Sequence, residues 1–278
     1  MHPATYHRHQ NRKHHPRPDP WAAVKAAIIR HHEETQGRCG RRDMHAWLRR
    51  EGIMVSYEKC HKLMQELEIR AVRGTRHRPK AQGINNEAVA MPNLLWEADH
   101  PRDFSSAIPG TRLVGDCTEF VWHRRGKHLY LHVVMDLYHR GVMGWALSDK
   151  PDAISALAAM EMARNQGAFR TNVIFHSDHG SQYMSNRFRD YCQLQGIRQS
   201  MGAKRVCYDN AVAESFFATL KGDLPDIKTF ATKQDLAVWV VTWIEGWYNS
   251  RRPHSWNRGY PPFSRPPTIE HPICRTTP

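Results

Sequence analysis

The chain has 278 residues, with 40 Lys and Arg against 27 Asp and Glu, a formal charge of +13 and 40% hydrophobic residues. That length allows one or two domains with a core able to enclose an enzyme site, and that charge points to a polyanionic partner, nucleic acid before an anionic membrane surface. No run approaches the roughly 18 apolar residues of a spanning helix, the start is polar and His-rich rather than leader-like, and the hydrophobic content argues against disorder. The six cysteines (Cys39, Cys60, Cys117, Cys192, Cys207, Cys274) contain no CxxC pair and no zinc-finger spacing, which fits reduced thiols in a cytoplasm.

The charge is unevenly placed. Residues 1–80 hold 18 Lys and Arg against 8 Asp and Glu, and the other 198 hold 22 against 19, so a basic module precedes a nearly neutral body. Residues 1–20, rich in Pro, His and Arg without an apolar period, read as a flexible basic tail, and its five His as a solvated arm rather than a metal site. Residues 21–80 read as a helical DNA-binding segment. A first helix over 21–32 is followed by a second over 41–51, with Met44, Trp47 and Leu48 on one face and Gly52 as its stop. Ser56 can cap a third, in which Cys60, Leu63, Met64 and Leu67 recur at helical spacing. Two short helices joined by a tight Gly-containing turn form a helix-turn-helix pattern, although such hairpins also occur in proteins that bind no DNA. Arg41, Arg42, Lys59 and Lys62 are its candidate DNA contacts, and the basic stretch 70–80 could track phosphates. Residues 81–105 read as a linker.

From Arg112 the period becomes strand-like. Strands over 112–122, 127–138 and 141–147, separated by turns, predict an antiparallel meander. A helix over 153–164, a buried strand over 172–176, a polar loop, a helix over 186–195, a strand over 197–200 and a helix over 211–221 follow. That order predicts an α/β fold, a mixed sheet with helices on its faces, compatible with ribonuclease H topology. Further on, Thr232 and Asp235 form a capping pair before a helix whose Trp239, Trp243 and Trp247 fall four apart, a stripe that reads as packing surface ahead of base stacking. The chain from Pro261 reads as a Pro-rich extended tail.

Three carboxylates stand where a metal could be held: Asp116 in VGDCTEF, Asp178 in VIFHSDHGSQY and Glu214 in YDNAVAESFFATLK. Magnesium takes a few carboxylate oxygens plus water and phosphate oxygens, and a pair of such ions can activate an attacking hydroxyl and stabilise a leaving oxygen of a phosphodiester. Singly, each acid has a plain structural reading: Asp116 a bulge or turn acid, Asp178 a helix cap, Glu214 a solvated helical residue. Polar HSDHGSQY directly after an apolar strand favours a cleft instead. Lys221, seven residues after Glu214, shares its helix face and could hold DNA phosphate.

The strings VVMDLYHRGVMGWAL, VIFHSDHGSQYMS, GIRQSM, YDNAVAESFFATLK and WYNSRRPHS resemble the integrase core of orfB-type insertion-sequence transposases, and 35 residues separate Asp178 from Glu214 as in that family's Asp, Asp, 35-residue gap, Glu arrangement. The resemblance spans roughly residues 25–264, including RRDMHAWLRREGIMVSYEKCHKLM in the helix-turn-helix segment. It implies a ribonuclease H-like integrase catalytic core over 106–264, a mixed five-stranded sheet with helices on both faces. It also implies Asp116, Asp178 and Glu214 as the catalytic triad holding two Mg²⁺ or Mn²⁺ ions, and Lys221 at a DNA-contacting position. His176, Gln182, Tyr183 and Asn210 are implied as neighbours of the site. Asp136 competes as a further acid, more often structural beside a turn. The implied activity is nicking of a transposon end and joining of its 3′ hydroxyl to target DNA, by a homo-oligomer on DNA in a bacterial cytoplasm, with no membrane. An upstream orfA-type partner or fusion is also implied, since no heptad run or separate upstream helix-turn-helix is visible. Two departures stand out: Arg205, Val206, Cys207 and Tyr208 replace a common Gly-Asn-Cys-Trp run, and Trp256 to Tyr260 is one residue longer than the usual Leu-Gly-Tyr. The competing expectations are a non-catalytic DNA-binding regulator or relic, and a metal-dependent nuclease that hydrolyses without joining.

Overall fold

The computed structural model describes residues 18–72, 91–95, 104–122, 127–202 and 210–266, the side chains of Trp122 and Lys127 excepted. The tail over 1–17, the basic stretch 73–80, most of the expected linker, the departure at Arg205 to Tyr208 and the chain from 267 lie outside the described residues. The chain divides into two compact units, Met1–Val72 and Arg73–Pro278.

In the first unit, α1 (Ala22–Glu34), α2 (Arg41–Arg50) and α3 (Tyr57–Glu66) bury Ile28, Met44, Leu48, Cys60 and Leu63 completely. Gly52 takes φ +76°, and its N–H to the Arg49 carbonyl with Ile53 N–H to the Leu48 carbonyl closes the C-terminus of α2. Ser56 caps α3 by accepting Lys59 N–H at 3.2 Å. The connection between the two helices runs from the expected Gly52 stop to the expected Ser56 cap, and His45 Nε2 lies 3.0 Å from the Val55 carbonyl within it.

His31 lies flat on Trp47, ring centroids 4.0 Å apart, and neither ring nitrogen has a hydrogen bond. Burial, with the charges of Arg50 and Arg30, pulls its pKa from 6.5 to about 4. Between those values the unfolded chain binds the proton that the folded one refuses, so this contribution, up to about 3 kcal/mol, is present near neutrality and is lost as pH falls from 6.5 through 4. The expected result is that protection of α1 and α3 amides against hydrogen exchange, corrected for intrinsic rates, drops from pH 7 to pH 4.5. His31→Phe, which keeps the stack without the titration, should flatten that drop; an equal drop in the variant refutes the assignment.

The second unit is a five-stranded sheet in the order β3-β2-β1-β4-β5. β1 (Arg112–Trp122), β2 (Lys127–Asp136) and β3 (Val142–Ser148) form the expected antiparallel meander, while β4 (Ile174–Ser177) and β5 (Arg198–Met201) add in parallel on the other side of β1. Side chains alternate across the sheet. Val114, Phe120, Leu131, Val133 and Ile174 pack with α7 (Ala211–Asp223) and α8 (Lys233–Thr242). Leu113, Val134 and Phe175 pack on the opposite face with α4 (Ala153–Asn165) and α6 (Asn186–Leu194). The polar loop expected after β4 contains a one-turn helix, α5 (Ser181–Met184), with Gln182 and Tyr183 buried.

Thr232 and Asp235 form a reciprocal capping box at α8, as expected. The tryptophan stripe changes register: from Trp243 to Tyr248 the helix widens to i→i−5 bonding, with Asn249 N–H on the Ile244 carbonyl. Trp243 and Trp247 are core residues, and Trp239 stacks on Trp243, so the packing reading holds and base stacking is set aside. The widened turn aims Asn249 at the β2–β3 turn, where its amide donates to the Val142 carbonyl and accepts Val142 N–H, both at 2.9 Å and buried. Asn257 Nδ2 donates to the His139 carbonyl, Trp256 Nε1 to the Tyr138 carbonyl, and the Arg140 guanidinium lies 3.7 Å over the Trp256 ring. Asn249, Trp256 and Asn257 together are therefore a clamp on this turn. Removing its centre strands two buried backbone groups, so Asn249→Ala should lower stability by about 2–4 kcal/mol. A urea melt shifted by less than 1 kcal/mol would contradict the clamp.

Asp136 belongs to the same turn. It accepts Gly110 N–H at 3.0 Å and Tyr138 N–H at 2.9 Å, with His139 Nε2 at 3.3 Å, which is the structural role. The chain at 261–266 departs from the expected extended tail: Pro262–Ser264 forms a 3₁₀ turn, Pro262 is buried, and Phe263 N–H bonds to the Asn249 carbonyl. No helix among the described residues is long and apolar enough to cross a membrane.

Candidate active site

Asp116 shares the parity of Val114 and Phe120 and so belongs to the α7 face of β1. The parallel pairing of Gly115 with Ser177 sets Asp116 and Asp178 side by side, one residue beyond the paired positions of β1 and β4. α7 begins at Ala211, directly after Asn210, and brings Glu214 over the same face in its first turn. Asn210 Nδ2 donates to the Gly115 carbonyl at 3.3 Å and ties that helix start to the backbone preceding Asp116. Gly115 is required here: a Cβ would stand 2.2 Å from the Phe175 ring that crosses β1 from β4.

The electrostatics tie the acids together. Burial, followed by the negative charge of Asp178, pushes the Asp116 carboxyl well above the usual carboxylate range; Glu214 adds to the rise, and Cys117 N–H, at 2.7 Å from Oδ1, and Lys221 oppose it. Asp178 is exposed at the sheet end, yet desolvation by surrounding protein atoms raises its carboxyl against the opposing Gly180 N–H bond and His179. That bond, Gly180 N–H to Asp178 Oδ1 at 2.9 Å, is a local turn ahead of α5, whose N-cap is Gly180 without a side-chain cap, so Asp178 is not the helix cap. Glu214 is exposed and its carboxyl is raised by desolvation. Lys221 is half-buried, its ammonium 5.9 Å from the Phe120 ring centroid, and desolvation lowers its pKa against the pull of Glu119 and Asp116. Among the described residues no three His, Cys, Asp or Glu side chains converge closely enough, as placed, to hold a metal ion.

His176 is fully buried with Nδ1 2.8 Å from Ser200 Oγ, which in turn accepts Leu94 N–H. Tyr183 is buried against Phe175 and Phe188. His179, whose signal in the sequence is only its place inside the HSDHG string, has its Nε2 2.7 Å from the Gly202 carbonyl. In the first unit Arg41, Arg42 and Lys62 are exposed, Arg41 stacking on Tyr57 at 5.0 Å. Lys59 is half-buried with its ammonium 4.9 Å from the Trp21 ring, so its alkyl stem is packing as well as charge.

A 3-2-1-4-5 mixed sheet with acids on its two central strands and on the helix after β5 is an integrase-type catalytic core. The chain matches the integrase core domain family over residues 106–207 and again over 195–262, and an HTH-like domain family over 20–78. It is 34% identical over 237 residues to the transposase InsK of insertion sequence element IS150 from Escherichia coli K12, covering 85% of this chain and 80% of that one. It is 30% identical to the transposase of IS904 from Lactococcus lactis, covering 84% and 87%, and 38% identical to transposase InsF of IS3A from E. coli K12, covering 66% and 62%. The chain belongs to the family of insertion-sequence transposases. Among solved structures it is similar to the magnesium-bound HTLV-2 integrase catalytic core, at 15% identity and TM-score 0.44 over 57% of this chain and 97% of that one. The simian T-cell lymphotropic virus intasome aligns at 17% identity and TM-score 0.49 over 90% and 79%.

Proposed function

We propose that this protein is the catalytic transposase of an insertion element, cutting transposon ends and joining the freed 3′ hydroxyl to target DNA, with Asp116, Asp178 and Glu214 as its catalytic acids. The observation that carries the reading is the placement of the three acids on β1, directly after β4 and on the first turn of α7, close enough that Asp178 and Glu214 add to the rise that burial imposes on the Asp116 carboxyl. Such repulsion is what a hard divalent cation relieves, and an all-carboxylate donor set suits Mg²⁺ or Mn²⁺. A second observation fits: Asn210 Oδ1 is buried without a hydrogen-bond partner at the start of α7, an acceptor that a cation's water could satisfy.

Two bound ions would supply Lewis-acid activation of the attacking hydroxyl and stabilisation of the leaving oxygen. The chain's own residues do the rest. Asp116 and Asp178 present oxygens from adjacent strands that cannot move apart without breaking the sheet, and Glu214 presents the third from the helix above. Lys221 offsets part of the negative charge and faces the phosphates that enter. Arg41, Arg42, Lys59 and Lys62, with the helix-turn-helix segment, supply backbone contacts to DNA. The working form is a homo-oligomer on DNA, helped by an upstream orfA-type partner or fusion.

The test is a strand-transfer reaction with labelled element ends, run with Mn²⁺ and with chelator, with and without the upstream frame product. Joined products that need the cation support the reading. Nicks without joining indicate a nuclease, and end binding without cleavage under every condition indicates the regulator.

A further inference from the structure

Gly202, directly after β5, and Asn210, directly before α7, are each tied to the chain that carries one of the other two acids. At its start, His179 Nε2 lies 2.7 Å from the Gly202 carbonyl, and Gly202 N–H donates to the Ser177 carbonyl at 3.2 Å. The chain leaving β5 is therefore fastened to the chain leaving β4 at residues on either side of Asp178. At its end, Asn210 Nδ2 donates to the Gly115 carbonyl, next to Asp116. The carbonyl partner fixes the orientation of the Asn210 amide, because only the NH₂ side can serve it. The same argument makes His179 the Nε2–H tautomer.

We infer that His179 and Asn210 are positioning residues for the acidic site: His179 fixes the chain that carries Asp178 against Gly202, and Asn210 fixes the start of α7, and with it Glu214, to the backbone beside Asp116. The inference rests on the metal-binding reading of those three acids. Both act through backbone that a carboxylate depends on, His179 through Gly202 and Asn210 through Gly115. Such outer groups commonly alter metal affinity by about 10–100-fold when removed.

The experiment compares the full-length wild type with His179→Ala, His179→Gln and Asn210→Ala, and with Asp178→Asn as the control for the acids. Three quantities are read: the melting temperature without added metal, Mn²⁺ binding by titration calorimetry, and the Mn²⁺ concentration giving half-maximal end nicking. The expected result is a Mn²⁺ affinity weakened about 10-fold or more in both alanine variants, a matching rise in the half-saturating concentration, and recovery in His179→Gln, whose amide can reach the same carbonyl. Melting temperatures should stay within a few degrees of wild type. Alanine variants that bind Mn²⁺ like wild type, whether or not they melt earlier, overturn the inference, and so does a His179→Gln variant as impaired as His179→Ala. Equal Mn²⁺ binding by wild type and Asp178→Asn would instead sink the underlying reading of the acids.

Discussion

Asp178→Asn is expected to abolish both end nicking and strand joining, by at least about 10³-fold, while end binding by the first unit persists. With Asp178 as a metal ligand, as proposed, the size follows from losing an anionic ligand, which in metal-assisted phosphoryl chemistry is worth several kcal/mol, at 1.36 kcal/mol for each tenfold in rate. The substitution is informative because it spares the fold. Asn keeps an Oδ1 that can accept Gly180 N–H, so the local turn that Asp178 makes at the end of β4 survives. What is lost is the negative charge that raises the Asp116 carboxyl, which should move back toward its ordinary range in the variant. The measurement is a time course of labelled-end cleavage with Mn²⁺, beside an electrophoretic mobility shift on the same DNA. Full cleavage by the variant would remove Asp178 from the chemistry.

Gly144→Ala is expected to destabilise the second unit strongly. A Cβ at this position of β3 would stand 2.1 Å from the Ala159 carbonyl oxygen, 2.6 Å from Ala163 N and 2.9 Å from Ala163 Cβ. Two of these are backbone atoms of α4, which cannot rotate away as a side chain tip can. The helix must therefore lift from the sheet, weakening the packing of Ala156, Ala159, Met160 and Ala163 against Val134 and Phe175. Overpacking of this kind costs about 3 kcal/mol. For a unit of this size that lowers the melting temperature by about 10 °C. A thermal melt within 2 °C of wild type would show that α4 is not seated as closely as its small residues indicate.

The sequence and the structure agree most closely where a local cause acts. Gly52 ends α2, Ser56 caps α3, and Thr232 with Asp235 caps α8, because each of these depends on bonds between residues a few positions apart. The order of strands and helices also follows from period alone. The widened turn at Trp243–Tyr248 was not legible, since a four-residue spacing of tryptophans reads as ordinary helix until the core they fill is known. The docking of Pro262 and Phe263 was likewise hidden, because a run of prolines looks extended unless a surface exists for it to meet.

The site divides in the same way. Asp116, Asp178 and Glu214 stood out through the strings around them and the 35 residues between the last two, while the role of Asp136 depended on contacts with Gly110 and Tyr138 on neighbouring chain. His179 drew no notice beside Asp178, because its carbonyl partner, Gly202, lies 23 residues away. The sequence alone determined the family, the fold class and the basic first unit, and it singled out the three acids of the proposed site, all of which rest on composition, period and short motifs. Only the tertiary structure decided which groups tie together the chain around those acids, because hydrogen bonds between the chain after β4 and the chain after β5, or between Asn210 and β1, exist only once the parallel strands have paired.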